Sequence, residues 1–570
     1  MGVYLSPGVY SLEKDLSQIV PNIATTTSAL VGYSPKGNID EIVLITNTQQ
    51  FINEYGTPVN SSGNYFHYSA LAFLEKGNKL YCYRVQDGAE YGALTIANPS
   101  ETYSITESFT STEKTLDTDS SYPGTDNGDQ ILFQIFGKDP GVWNHRIGIT
   151  ITDLKSNTQE WISGEWVPSS LLPIADTDQY TFVINVYYRN ADNAWEKVES
   201  FTVSRKHKID GYGRQLYMED RINGYSQYIA VADHSDIADT VMPDGFEDIN
   251  GDTTQVELGE GNDGTTYADI SDGKFTDGWD LFANPDDVDI RVLINGGETS
   301  TIIQAKMNTI ANARADCIAI LDIPYSEMAS ATNITDMIVW RNAVLNLNSS
   351  YAALYAPWVK IYDSYNDVLL YVPPSGYVVA QIAYNDYVSQ PWYAPAGFNR
   401  GLLNVEGVYD IFTGGERDML YEAQINPIQL FRGEGIPIWG QKTLAAKASA
   451  LSRVNVRRLL IIIEKALSIA LRQFVFEPNS EITRFRVEAM ITEYLELLST
   501  RGAFQTESGD RGYKVLCNET NNTPAIIDRN ELHVDIFIKP SRSAEFIQLQ
   551  TIVTTSGASF DELVARGVMF

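Results

Sequence analysis

From Leu532 to Lys539 the chain alternates apolar and mostly polar residues, the period of a strand with one buried face. Pro540 ends the run, because proline has no amide to give to a ladder. A second run, Phe546 to Val553, sets Ile547, Leu549 and Val553 on one face. A helix start follows at Ser559, with Glu562 three residues on completing a capping box. Near the other end, Tyr10, Leu12, Leu16 and Val20 share a face opposite Ser11, Glu13, Asp15 and Ser17. Both termini read as extended arms with unpaired edges, which proteins cover or use for pairing with partners. Two strands alone are marginal in water, so assembly is the first expectation.

Between the arms the pattern changes twice. Residues 23–90 read as a compact α/β start. Strands are expected at Thr25 to Gly32, Glu41 to Thr46 and Leu80 to Val85, with helices from Asn47 and from Tyr65 to Lys76. From about Tyr91 helical periodicity fades into Thr, Ser, Asp and Gly with short strands, such as Ile131 to Phe136 and Thr181 to Tyr188. A mainly β insertion over 91–275 is expected. The α/β pattern resumes over 276–385, with strands at Ile290 to Ile294, Cys317 to Leu321 and Tyr351 to Val359. Helices are expected there at Thr299 to Arg314 and Asn333 to Asn346. The last stretch, 386–570, holds an almost wholly apolar helix, Val456 to Phe476, and a second from Glu481 to Ser499.

Composition adds direction. The 570 residues carry a net charge of −32, which argues against a generally basic nucleic-acid-binding surface. Residues 386–570 are near neutral at −3, so the first 385 hold −29. Between Arg432 and Arg472 stand eight basic residues against two acidic ones. Lys442, Lys447, Arg453, Arg457 and Arg458 are the candidates for a charged contact surface, with internal ion pairs as the alternative. Three scattered cysteines predict neither disulfides nor zinc. No apolar run reaches the roughly 20 residues of a membrane span, and no signal peptide is visible.

Catalytic patterns fail. Gly435 to Thr443 resembles a phosphate-binding loop, but Gln441 displaces the lysine and Pro437 removes an amide. Asp248, Asn250 and Asp252 begin like a calcium loop, yet Thr253 and Gly259 occupy the positions that need Gly and Glu. The five histidines are scattered, and His533 reads as an ordinary strand residue. No enzyme, cofactor or metal site is expected.

Several motifs resemble the tail sheath proteins of contractile-tailed, T-even-like bacteriophages. They include Leu5-Ser6-Pro7-Gly8-Val9-Tyr10, Val372-Pro373-Pro374-Ser375-Gly376, the run Ser349 to Trp358 and the run Ala394 to Gly401. Ile425-Asn426-Pro427-Ile428, Arg453 to Leu459 and Asn521 to Glu531 extend the match. The resemblance implies an α+β multidomain sheath fold. Its parts would be a discontinuous α/β middle domain (23–90 and 276–385), a β-rich outer domain (91–275) and an inner α+β domain (386–570). The arm at 1–22 would pack with the inner domain or with neighbouring subunits, and the arm at 541–570 would pair with neighbouring subunits. It further implies hexameric rings stacked helically around an inner tail tube, with baseplate and tail terminator proteins as further partners. Contraction would then drive the tube through the host envelope. No direct nucleic acid contact and no membrane insertion are implied; the place is the virion, after assembly in the bacterial cytoplasm. The alternative is the sheath of a tailocin, a contractile injection device or a type VI secretion system. Secretion sheaths usually split this architecture over two chains.

Overall fold

The computed structural model describes residues 24–548, apart from 40, 60–62, 99–103, 115–129, 154–158, 163–164, 169–180, 191–192, 208, 211, 234–254, 260 and 508. The arm residues Tyr10, Leu12, Leu16, Val20, Leu549 and Val553, and the calcium-loop positions Asp248, Asn250 and Asp252, lie outside the described residues. The chain divides into two units, Met1–Gln473 and Phe474–Phe570.

The first unit is built on a seven-stranded sheet. Across it run Val43–Ile45, Leu80–Val85, Ser28–Tyr33, Val292–Ile294, Ile318–Asp322, Ala352–Ala356 and Ile425–Pro427. All neighbours are parallel except the edge strand Val43–Ile45, which is antiparallel to Leu80–Val85. Consecutive side chains point to opposite faces, and helices cover both, so these strands are apolar almost throughout. Ala29, Val31, Leu293, Ala319 and Leu321 pack with Trp279, Met307 and Ile310 on one side. Leu30, Val292, Ile294, Ile318 and Ile320 pack with Phe51, Phe66, Phe73, Val379 and Ile461 on the other. Asn47 starts the first helix, its side chain accepting from the Gln50 amide at 2.9 Å.

The sheet leaves off after Leu80–Val85 and resumes at Val292–Ile294. Between them, two antiparallel four-stranded sheets face each other as a sandwich. Leu94, Ile96 and Ile135 from one sheet meet Ile147, Ile149 and Ile184 from the other. The rings of Phe133 and Phe182 stack at 5.7 Å. Buried Arg84 ties the sandwich to the central sheet. It donates to the carbonyl oxygens of Ser34, Pro35 and Gly37, and across the junction to that of Pro140 at 3.0 Å.

Three details differ from the sequence reading. The sandwich's last strand is Val256–Glu257, and the boundary expected at 275/276 falls inside a helix, Asp272–Asp280. Phe275 and Trp279 of that helix lie in the core beside Val31. Its Asp and Gly residues masked the helical period. The run Tyr351 to Val359 is two strands, since Val359–Asp363 leaves the central sheet to form a hairpin with Val368–Val372. The helix expected over Asn333 to Asn346 is α only to Val339, then widens into a π turn over Trp340–Leu345.

The second unit contains the helix Glu481–Thr500, begun by Ser480, whose hydroxyl accepts from the Thr483 amide at 3.2 Å. An antiparallel pair follows, Tyr513–Leu516 with Asp535–Ile538. The strand foreseen at Leu532 to Lys539 is thus the shorter Asp535–Ile538, and its partner lies within the same unit.

Candidate assembly surfaces

The basic cluster was read as a contact surface or as internal ion pairs, and the structure holds both: two of its eight residues are buried and three are exposed. Arg457 and Arg458 open the long helix Val454–Leu471 and are only 4% and 3% exposed. Arg458 clamps Asp386 with two hydrogen bonds of 2.9 and 2.5 Å, and also donates to the Pro391 carbonyl at 3.3 Å. Arg457 reaches Glu464 at 3.3 Å and lies over the Tyr351 ring at 4.2 Å. Lys465 bonds Asp316 at 2.9 Å. These cations hold the subunit together: burying a guanidinium is tolerable only where an anion or carbonyl receives it. Lys442 donates to the Tyr421 carbonyl at 2.7 Å and sits over that ring, and half-buried Arg453 donates to the Ser452 carbonyl at 3.3 Å. Lys447 and Arg432 are exposed. Asp386, 72 residues before Arg458, gave no local signal of this pairing.

The second unit also carries exposed apolar side chains. On Glu481–Thr500, Ile482 and Phe485 are 66% and 71% exposed, one helical turn apart, with exposed Ala489 next on the same stripe. The opposite stripe, with Val487, Ile491 and Leu495, is buried. Phe476, Phe537 and Phe546 are also exposed. Ile547, the one described member of the arm candidates, is 88% exposed and stands outside any strand. Tyr513–Leu516 and Asp535–Ile538 pair only with each other, so each keeps an edge without a ladder partner among the described residues. Open strand edges and exposed aromatics are features that proteins often cover or use in pairing.

The places where an α/β protein would house chemistry are filled. In an open parallel sheet, ligands bind beyond the strand ends where the connection order reverses. Here that point lies between Ser28–Tyr33 and Val292–Ile294. A Cβ on Gly297 would stand 3.0 Å from both Pro373 and Tyr65, and the Tyr267 hydroxyl donates to Glu298 at 3.0 Å. Burial pushes Glu298 up to about 8 and Asp322 up to about 7, the latter despite hydrogen bonds from Ser375 and the Gly297 amide. The stretch resembling a phosphate loop runs through a short strand, Ile436–Pro437, with no helix beginning after it until Ala450. His67 is buried against the Tyr55 carbonyl at 3.1 Å, and burial lowers it to about 4. His533 precedes the strand and meets Glu531 at 2.9 Å. Among the described residues no group of His, Cys, Asp and Glu could hold a metal ion, and no helix is long and apolar enough to cross a membrane.

Comparison with known proteins identifies the family of the chain. Residues 268–444 match the family model for the phage tail sheath protein central domain, and residues 446–554 that for the phage tail sheath C-terminal domain. The chain is 28% identical to the tail sheath protein of Enterobacteria phage T4, over 98% of this chain and 99% of that one. That alignment spans 679 positions, more than the 570 residues here, so the relative carries stretches without a counterpart. The tail sheath protein of Vibrio phage KVP40 is 31% identical over 68% of this chain and 57% of its own length. Among solved structures, the helical sheath of the anti-feeding prophage in its contracted state has the same fold. It superposes with a TM-score of 0.52 at 16% identity, covering 96% of this chain and 99% of that one. A multidomain α+β fold with two sheath domain models in tandem has one family to fit: the chain belongs to the tail sheath proteins of T4-like contractile phage tails, structural proteins of the virion.

Proposed function

We propose that copies of this chain stack as hexameric rings into a helical sheath around an inner tail tube, and that shortening of this sheath drives the tube through the host envelope. The observation that carries the reading is the match to a tail sheath protein along 98% of the chain. Baseplate and tail terminator proteins would bound the polymer, and assembly would take place in the bacterial cytoplasm. In this reading residues 91–275 lie outermost, 23–90 with 276–385 in the middle, and 386–570 innermost. The arms, 1–22 and 541–570, would pair with strands of neighbouring subunits. The open edges at Tyr513–Leu516 and Asp535–Ile538 support that exchange, since each added main-chain hydrogen bond contributes about 0.5–1.5 kcal/mol. Of the basic candidates, the exposed Lys447 and Arg432 are the tube-facing ones, joined by the partly exposed Lys442 and Arg453.

The experiment is reconstitution. Purified chain mixed with purified tail tubes should form long sheaths visible by electron microscopy. Chains lacking residues 1–20 or 541–570 should stay soluble, melt cooperatively and fail to polymerise. Full-length sheaths from either truncated chain would overturn the arm assignment. Failure of the intact chain to polymerise under any tube condition would overturn the sheath reading itself.

A further inference from the structure

Arg341 is 5% exposed and has no carboxylate partner among the described residues. It donates through Nη2 to the side-chain oxygen of Gln424, and its Nε has no partner. Burial lowers its pKa, with no nearby acid acting against that. Other buried arginines of the same unit are compensated. Arg205 meets Asp233, Arg314 meets Asp316, Arg458 meets Asp386, and Arg84 sits among four carbonyl oxygens. A buried cation left this way costs free energy unless something arrives to pair with it.

The surroundings of Arg341 are built to receive. It lines a solvent-open groove of about 620 Å³ with Ile338, Leu347, Met419, Glu422 and Gln424. Glu422 makes no ion pair with it. The guanidinium is held in place rather than loose, because Gln424 also donates from its amide to the Ala445 carbonyl at 2.7 Å. The backbone is distorted to make this site. Arg341 is carried by the π turn Trp340–Leu345, and Asn346 and Gln424 adopt left-handed φ of 41° and 67°. A rigid, forked donor that lines a groove and has no carboxylate partner among the described residues fits a carboxylate.

We propose that this groove takes a carboxylate-bearing loop of a second copy of the chain, with Arg341 as its anchor. The occupant is argued from local charge: with 73 acidic side chains against 41 basic ones, a neighbouring subunit offers carboxylate-bearing loops at high local concentration. The groove's apolar floor, Ile338, Leu347 and Met419, suits the backbone and stem of such a loop. This inference rests on the self-assembly reading above.

The test compares polymerisation of the full chain with that of Arg341→Met and of Ala446→Trp, the latter filling the groove from its exposed rim. Arg341→Met should melt at or above the temperature of the unaltered subunit. Both variants should raise the critical concentration for sheath formation by about tenfold or more, the expected cost of losing one side of a desolvated charge pair. A photo-crosslinker at the exposed position 342 should join chain to chain in assembled sheaths. Unchanged critical concentrations for both variants, with the intact chain polymerising normally, would overturn the proposal. So would crosslinks that reach only a different tail protein. If the intact chain does not polymerise, the sheath reading fails before this one is reached.

Discussion

Two long helices, both rich in apolar residues, sit in opposite circumstances. Val454–Leu471 buries residues on every side, Arg457 and Arg458 included. Glu481–Thr500 buries one stripe and leaves Ile482 and Phe485 in water. In the first, cations have been drawn inside and matched with Asp386, Glu464 and Asp316. In the second, apolar surface stays outside with nothing among the described residues to cover it. The contrast separates internal glue from external adhesive. The first helix reports how the subunit is held together, and the second where it expects company.

The strongest way to break the contrast is to remove a buried cation. Arg458→Ala strands Asp386, whose side chain is almost fully buried, and should cost about 3–5 kcal/mol of subunit stability in urea unfolding. A loss under 1 kcal/mol would mean that the pair is solvated and that the cluster is surface after all.

The reciprocal change is made on the second helix. Ile482→Ser combined with Phe485→Ser should leave subunit stability within about 0.5 kcal/mol. The same pair should raise the critical concentration for polymerisation about tenfold or more, because each side chain contributes on the order of 1.5 kcal/mol when covered. Sedimentation of the two chains at matched concentration measures it. Equal polymerisation would make the stripe ordinary exposed surface.

Buried acids extend the comparison to pH. Glu298 and Asp322 are raised to about 8 and about 7, so the folded subunit holds protons that the unfolded chain releases above its ordinary carboxylate range. Stability from these groups is therefore greatest at acidic pH and falls as pH rises through about 7 and 8. Thermal melts from pH 5 to 8.5 should show a declining midpoint, and Glu298→Gln should flatten the upper part of the decline. A midpoint that rises over that range in the unaltered chain would contradict the burial argument.

The smallest effect is expected at the exposed remnant of the basic cluster. Lys447→Glu should weaken sheath formation on tubes by less than about 1 kcal/mol, and only at low salt, since solvated pairs are screened. No change at low ionic strength would remove Lys447 from the tube-contact candidates.

What the sequence determined by itself was whatever consecutive residues record. Leu80–Val85 falls where its apolar run predicts, as do the start of the helix at Asn47, the helix ending at Arg314 and most of Val454–Leu471. Period, caps and breakers are local, and each is visible in a window of ten or twenty residues. The sheath resemblance was legible too, because its motifs are contiguous. Tertiary structure decided the rest. Three residues, Ile425–Pro427, carry too little pattern to announce a strand, and they become one only because Ala352–Ala356 offers an edge. Asp272–Asp280 is a helix because Phe275 and Trp279 find a core that its Asp and Gly residues conceal. Whether an arginine faces water or a carboxylate depends on a partner brought from far along the chain, Asp386 for Arg458 and none among the described residues for Arg341. Charge in a sequence has a sign and a position along the chain. Its meaning, as a bond already made or one still open, is set by which distant groups the fold places within reach.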